Sequence, residues 1–266
     1  MAKKILLTDN SLYREAKDGF ITVNGVYRKI KDGFITVNGV YRPFFSSGLA
    51  LSELPSGALL KLNVGGSSQN MRIIHQGRPS SAYDSSCNGT WVWAYNLKTV
   101  MSFIWQYSST SNDHKAINGS TFLTKLDSGV QALIKTVKIP YRENNNEALT
   151  TLSCKAFLLS HTEVGFTNSG SFFATTGACL SYFKGLTDSA NSKRVLKNSS
   201  GTAFPWSTRS SGGGGGWRAY ASKTGALDSA NDHDEDDCLL APAFILPSDA
   251  LVNPTPNADG SYTLLA

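Results

Sequence analysis

Short β-prone runs separated by turn residues open the chain. Ile21-Thr22-Val23 and Val26-Tyr27-Arg28 flank Asn24-Gly25, a pair that tolerates the positive φ angles of a type I′ turn. The same pattern recurs around Asn38-Gly39 and, in a weaker form, around Asn10-Ser11. The pattern therefore predicts three β-hairpins.

These hairpins form a tandem array with a period of fourteen residues. The string KDGFITVNGVYR occupies 17–28 and recurs letter for letter at 31–42. Because a two-stranded hairpin is marginal alone, we expect residues 1–42 to be an assembly or docking arm; the alternative is a simple β-meander that caps the main domain. The expected assembly residues recur in each copy: Tyr13, Arg14, Tyr27, Arg28, Tyr41 and Arg42.

The pattern changes after the array. Residues 43–54 are expected to be a linker, 55–254 a single globular domain and 255–266 a C-terminal tail. Strand-like apolar runs in the domain are predicted at 58–64, 71–75, 91–95, 137–141 and 156–159.

A helix is predicted over residues 120–136, with Asn118 or Ser120 as its cap. Its apolar positions fall on one helical face: Phe122, Leu123, Leu126, Val130, Leu133, Ile134 and Val137. A helix packed on strands predicts the α+β class for the domain.

Composition supports a folded chain with a sizeable core, since 41 % of the 266 residues are hydrophobic and 17 % are charged. Residues 1–42 contain eight Lys or Arg and four Asp or Glu, which accounts for +4 of the net charge of +5. The basic residues recur once per repeat and do not gather with aromatic residues on one face, so a nucleic-acid partner is not expected.

The cysteines, Cys87, Cys154, Cys179 and Cys238, lack the spacing of a zinc site. Four buried thiols in a reducing cytoplasm are expected, and a bridge such as Cys154–Cys179 stays open. The sequence has no run of about 18 apolar residues for a membrane span, and its apolar start is too short for a signal peptide. We expect synthesis in a cytoplasm without membrane insertion.

Four short segments follow one another along the chain: FLLSHTEV (157–164), YFKG (182–185), PWSTRSS (205–211) and LAPAFILP (240–247). Together they resemble a domain family of unknown function that is widespread in phages and in surface proteins of Gram-positive gut bacteria. The family pattern is F-L-L-S-x-x-E, W-x-R-S and V-R-P-A; the match is loose over 55–250 and good over 157–247. It departs at Ala241, where the family has an arginine whose ion pair or buried hydrogen bond would be missing.

This family resembles the C-type-lectin-like fold, which implies a domain with long surface loops. The resemblance places a binding surface in the loop region before the last strand, within 205–238. Aromatic and arginine side chains suit such a surface, although Trp206 and Arg209 are more often scaffold residues in the family. The implied ligand-binding residues are Trp206, Arg209, Trp217, Arg218, Tyr220, Asp228, Asn231 and Asp232.

Site chemistry is sparse in the sequence. There is no G-x-S-x-G, no H-E-x-x-H and no phosphate-binding G-K-[ST] after the glycine run at 212–216. We therefore expect no catalytic activity and no cofactor. Calcium at Asp232, Asp234 and Asp236 is a weak alternative, since these acids lack the spacing of an ordered calcium loop.

Together these patterns predict a non-catalytic structural protein of a phage virion, associated with the tail, baseplate or fibre. Its expected partners are other copies of itself, other virion proteins and a host-surface glycan or protein. One alternative is a purely architectural virion component, such as a head decoration or collar protein. A bacterial glycan-binding module is the other.

Overall fold

The fold is described from a computed structural model of the chain. It describes residues 48–95, 107–143, 146–167, 173, 175–197, 201–212, 217–231 and 238–266, together with strand backbones between residues 6 and 45. The strands in chain order are β1 (Leu6–Asp9), β2 (Leu12–Glu15), β3 (Phe20–Val23), β4 (Val26–Lys29), β5 (Gly33–Val37), β6 (Val40–Phe45), β7 (Leu49–Ala50), β8 (Leu59–Val64), β9 (Ser67–Gly77), β10 (Gly89–Trp93), β11 (Val137–Tyr141), β12 (Thr150–Cys154), β13 (Ala156–Leu158), β14 (Leu196–Lys197), β15 (Ala203–Phe204), β16 (Trp206–Ser211), β17 (Trp217–Ala221), β18 (Leu227–Asn231), β19 (Pro242–Leu246), β20 (Leu251–Val252) and β21 (Ser261–Thr263).

The expected α+β class is wrong, because strands account for 38 % and helices for 15 % of the structure. Within the described ranges the α-helices are α1 (Asn112–Ile117) and α2 (Ser128–Leu133), each six residues long. Short 3₁₀ turns occupy Leu51–Glu53, Ser85–Cys87, Leu123–Lys125, Ser181–Phe183 and Ser192–Arg194. The architecture is therefore closer to all-β.

The first six strands pair as three antiparallel hairpins, β1 with β2, β3 with β4 and β5 with β6. The pairs Val23–Val26 and Val37–Val40 leave two residues between the strands of the second and third hairpins, which is the spacing of a type I′ turn. Among the described strands, each hairpin is a separate two-stranded sheet.

A six-stranded sheet in the order β13-β19-β10-β9-β8-β21 forms the centre of the domain. Its neighbours are antiparallel except β21, which runs parallel to β8. Every residue of β10 and β19 is buried, because both strands carry apolar side chains on both faces. Trp91 contacts Phe157 edge-to-face, and Trp93 contacts Phe183 in the same way.

The packed unit extends beyond the expected limits of 55–254. β7 pairs with β20, Leu51 is fully buried, and β21 pairs with β8. Parts of the expected linker and of the expected tail therefore belong to the domain.

The helix predicted over 120–136 is wrong in its extent. A 3₁₀ turn and α2 flank Leu126, which is extended and forms a β-bridge with Val64. Asn118 caps the end of α1 and not the start of the predicted helix. The apolar stripe is nevertheless buried or packed against the core, since closely spaced turns can bury the same positions as a helix.

Candidate functional site

Arg209 on β16 makes a buried, bidentate ion pair with Glu163. Its Nη2 donates to Oε1 at 2.6 Å and its Nη1 to Oε2 at 2.5 Å. The guanidinium also donates to the carbonyl oxygens of Leu158 and Pro140. Burial alone would lower the pKa of Arg209, but the Glu163 carboxylate raises it above its usual value. The pair joins the F-L-L-S-x-x-E and W-x-x-R-S segments of the chain.

Glu163 also closes a capping box with Ser160. Ser160 N donates to Glu163 Oε2 at 2.9 Å, and Glu163 N donates to Ser160 Oγ at 3.1 Å. The Tyr83 hydroxyl donates to Glu163 Oε1 at 2.7 Å. The pKa of Tyr83 is raised above its usual value, mainly because the phenol is buried and also because the Glu163 carboxylate lies beside it. Every group in the cluster is buried, so it holds segments of the interior together.

His161 lies in the same turn, with Nδ1 2.8 Å from Ser210 Oγ. Ser210 Oγ also accepts from His161 N at 3.0 Å, so this one hydroxyl contacts both the backbone and the ring of His161. Burial, and then the Arg209 charge, lower the pKa of His161 to about 4. The imidazole is therefore neutral at pH 7.

Trp206 is also an interior residue. Its Nε1 donates to the Arg194 carbonyl at 2.7 Å, and its ring lies 5.1 Å from that of Trp93. Arg194 is itself buried and donates to four carbonyl oxygens, those of Val164, Thr187, Ser189 and Gly225. Burial lowers the pKa of Arg194 to about 10.

Arg218 on β17 pairs with Asp113 at 2.8 Å, and both side chains are buried. Tyr220 is buried, Trp217 is half-buried and Asp228 is exposed. The strand β18 ends at Asn231, whose side chain, like Asp232, lies outside the described residues.

Trp206, Arg209, Arg218 and Tyr220, which the resemblance places on a loop binding surface, are buried in the structure. These side chains lie in or under the three-stranded sheet β16-β17-β18 and face other parts of the protein. Their aromatic and charged groups are used in packing and ion pairs. The calcium alternative at Asp232, Asp234 and Asp236 and the side chains of the six assembly residues lie outside the described residues.

One surface cluster was not predicted, and we name it the cation–aromatic stack: Arg72, Tyr95, Tyr182 and Lys193. The Arg72 guanidinium carbon lies 4.6 Å from the Tyr95 ring centre and 5.2 Å from that of Tyr182. The Lys193 ammonium lies 5.1 Å from the Tyr182 ring centre. The members lie at four separate places in the sequence, so no local sequence pattern reveals them.

The fold fixes each member of the stack. Arg72 stands opposite Leu59 and Trp93 in the central sheet, and Tyr95 follows β10. The 3₁₀ turn that carries Tyr182 is attached to β9 by a 2.7 Å contact between His75 Nδ1 and Ser181 Oγ. Lys193 precedes the buried Arg194, whose carbonyl contacts anchor its turn.

All four cysteines are free, with Cys179 exposed and the others buried, so the Cys154–Cys179 bridge is not formed. Cys179 lines a surface cavity of about 370 Å³ together with Thr162, Phe166 and Lys184. Although the residue as a whole is exposed, partial burial of its thiol raises the pKa of Cys179, so the thiol stays protonated at neutral pH and is a weak nucleophile.

Within the ranges that the structure describes, His, Cys, Asp and Glu side chains form no group of three that could hold a metal ion. The same ranges contain no helix with the length and apolar character of a membrane span.

Comparison with known proteins adds one result. No curated protein and no solved structure matches the chain. A family model described as a domain of unknown function, DUF6273, matches residues 80–248. This match covers more than half of the chain and includes the Glu163–Arg209 pair and β19. The chain belongs to the DUF6273 family.

Proposed function

We propose that the chain is a non-catalytic structural protein of a phage virion, associated with the tail, baseplate or fibre. In this proposal the hairpin array assembles the protein into the particle. The DUF6273 domain then presents a surface that binds a glycan or protein of the host.

The observation that carries the proposal is the self-contained pairing of three repeated hairpins. Each hairpin pairs only within itself among the described strands, and a two-stranded hairpin is marginally stable in water. With respect to the described strands, both edges of each hairpin therefore have backbone groups available for another strand. Near-identical repeats provide near-identical contacts, which suits association with several equivalent copies.

The domain supports the second half of the proposal. Four of its buried ionisable side chains form two ion pairs inside the domain, Glu163 with Arg209 and Asp113 with Arg218. These pairs hold the body of the domain together, while the cation–aromatic stack remains on the surface. Such a division suits a rigid body that displays a contact surface.

Deletion of one repeat tests the assembly role. Removing residues 17–30 joins Ala16 to Lys31 and preserves the register of the remaining repeats. Sedimentation velocity should show an oligomer for the full chain, and the deletion should weaken association about tenfold or more, about 1.4 kcal/mol. The exposed-lysine variant Lys223→Ala is the control and should assemble normally. A full chain that stays monomeric at tens of micromolar overturns the assembly role.

Purified particles test the location. Mass spectrometry of phage particles from a lysate that contains the gene should detect the protein in amounts comparable with other structural proteins. Its absence from such particles overturns the virion proposal. If it is present, accessibility of Lys193 to an amine-reactive label separates a displayed domain from a purely architectural one, whose surface neighbouring subunits would cover.

A further inference from the structure

Among the described residues, the cation–aromatic stack concentrates positive charge without a carboxylate as an ion-pair partner. Among the described residues, no carboxylate lies within 4.0 Å of the Arg72 or Lys193 cation, whereas Arg209, Arg218 and Lys61 each have one. Residues 96–106, which follow Tyr95 directly, contain no Asp or Glu.

The cations of the stack are held in place by contacts that leave donor groups available. Arg72 Nη1 donates to the Gly57 carbonyl at 3.0 Å, and Lys193 Nζ donates to the Tyr182 carbonyl at 2.9 Å. In the described part of the chain, the other N–H groups of Arg72 have no hydrogen-bond acceptor. A guanidinium fixed by two rings and one hydrogen bond loses little further freedom on binding.

These donors select the chemistry of a ligand. The planar edge of the Arg72 guanidinium and the Lys193 ammonium each suit the oxygen atoms of a carboxylate or a phosphate. Because Arg72 and Lys193 both lie over the Tyr182 ring, that ring is a poor platform for stacking a nucleobase, which a single-stranded nucleic acid would need.

We propose that the cation–aromatic stack binds the acidic groups of an anionic polysaccharide on the host surface. This inference deepens the proposed function and rests on it. One partly exposed site binds a single acidic group weakly, since solvent and salt screen the charge. A polymer that repeats the acidic group can engage several assembled copies at once, and the added sites multiply the apparent affinity.

Binding of the full chain to immobilised polymers tests the proposal. Polygalacturonate presents carboxylates, poly(glycerol phosphate) presents phosphates, and dextran is the neutral reference. We expect binding to at least one acidic polymer at low salt and none to dextran. Arg72→Lys, which keeps the charge but loses the planar fork, and Lys193→Ala should each weaken binding about tenfold. The matched control is Lys223→Ala, which removes one charge from an exposed lysine elsewhere and should change binding less than twofold.

The two acidic polymers distinguish carboxylate from phosphate as the recognised group. Equal binding to dextran, binding to neither acidic polymer, or equal losses in the Lys193 and Lys223 variants overturns the inference. Tighter binding to a single-stranded oligonucleotide that the Lys193 variant also loses overturns it in favour of nucleic acid. The assembly test with the 17–30 deletion has its own readout, so failure of the stack leaves the assembly role intact.

Discussion

Arg209 and Arg72 both lie near aromatic rings, yet their surroundings differ in one decisive way. Arg209 is buried, 6.0 Å from the Phe157 ring centre, and shares two hydrogen bonds with Glu163. Arg72 is half-buried between two tyrosines, and the described residues provide it with no carboxylate. The charge of Arg209 is therefore paired inside the protein, whereas Arg72 can form an ion pair with an acidic group of a ligand.

The difference separates stability from binding. A buried charge must be paired because its desolvation is costly, so Arg209, Arg218 and Arg194 are each fixed by internal oxygens. A cation at the surface keeps water as an alternative partner and contributes little to folding. Loss of an interior partner should therefore change the free energy of unfolding, and changes in the stack should change binding.

The largest expected effect comes from Glu163→Gln. The substitution leaves the Arg209 charge buried without a counter-charge and weakens the bonds from Tyr83 and Ser160. We expect a loss of about 5 kcal/mol in the free energy of unfolding, measured by urea denaturation. Glu53→Gln is the control, because Glu53 is exposed, and it should cost less than about 1 kcal/mol. Equal effects of the two substitutions would contradict a structural role for the pair.

Breaking the second interior pair should have a smaller effect. Asp113→Asn removes the charge that faces Arg218 across one 2.8 Å contact, and we expect a loss of about 3 kcal/mol. The comparison is Lys61→Met, which breaks the exposed Lys61–Asp259 pair and should cost less than about 1 kcal/mol. If the Asp113→Asn and Lys61→Met variants shift the denaturation midpoint equally, burial does not explain the contribution of the Arg218–Asp113 pair to stability.

The sequence predicted strands better than the helix, for a physical reason. Val137–Tyr141 and Ala156–Leu158 are short apolar runs beside turn residues, and both are strands in the structure. The stripe from Phe122 to Val137 also marks buried positions, but a tertiary bridge between Val64 and Leu126 interrupts the helix. Periodicity records which side chains are buried and not which backbone buries them.

The candidate site shows the same limit. Trp206, Arg209 and Arg218 have the composition of a binding surface, but composition does not distinguish a buried arginine from an exposed one. The S-x-x-E spacing of Ser160 and Glu163 is a capping-box signature and could have identified Glu163 as a structural acid. Members of the cation–aromatic stack meet only through the fold, so no spacing in the sequence predicts them.

Acid should weaken the interior cluster through His161. The pKa of this histidine is about 4 in the folded protein and about 6.5 when unfolded, so the unfolded chain binds the proton first as pH falls. The contribution of neutral His161 to the free energy of unfolding is complete above pH 6.5 and is lost as the pH falls toward 4. Between pH 7 and pH 4.5 the loss is about 2 kcal/mol. Urea denaturation at the two pH values should show this loss, and His161→Asn should make it smaller by that amount. A variant with the unchanged pH dependence would exclude His161 as its source.

The smallest expected effect on stability is that of Arg72→Gln, and it sharpens the comparison most. The substitution removes two cation–π contacts at a half-buried position, each worth about 0.5 kcal/mol, and creates no buried unpaired charge. We expect a loss of about 1 kcal/mol by urea denaturation, together with a loss of about tenfold in binding to the acidic polymer. A loss above about 3 kcal/mol would place Arg72 with the interior arginines, because breaking a buried ion pair causes losses of that size. A small change in stability with unchanged binding of the Arg72→Gln variant would instead show that the stack does not bind the polysaccharide.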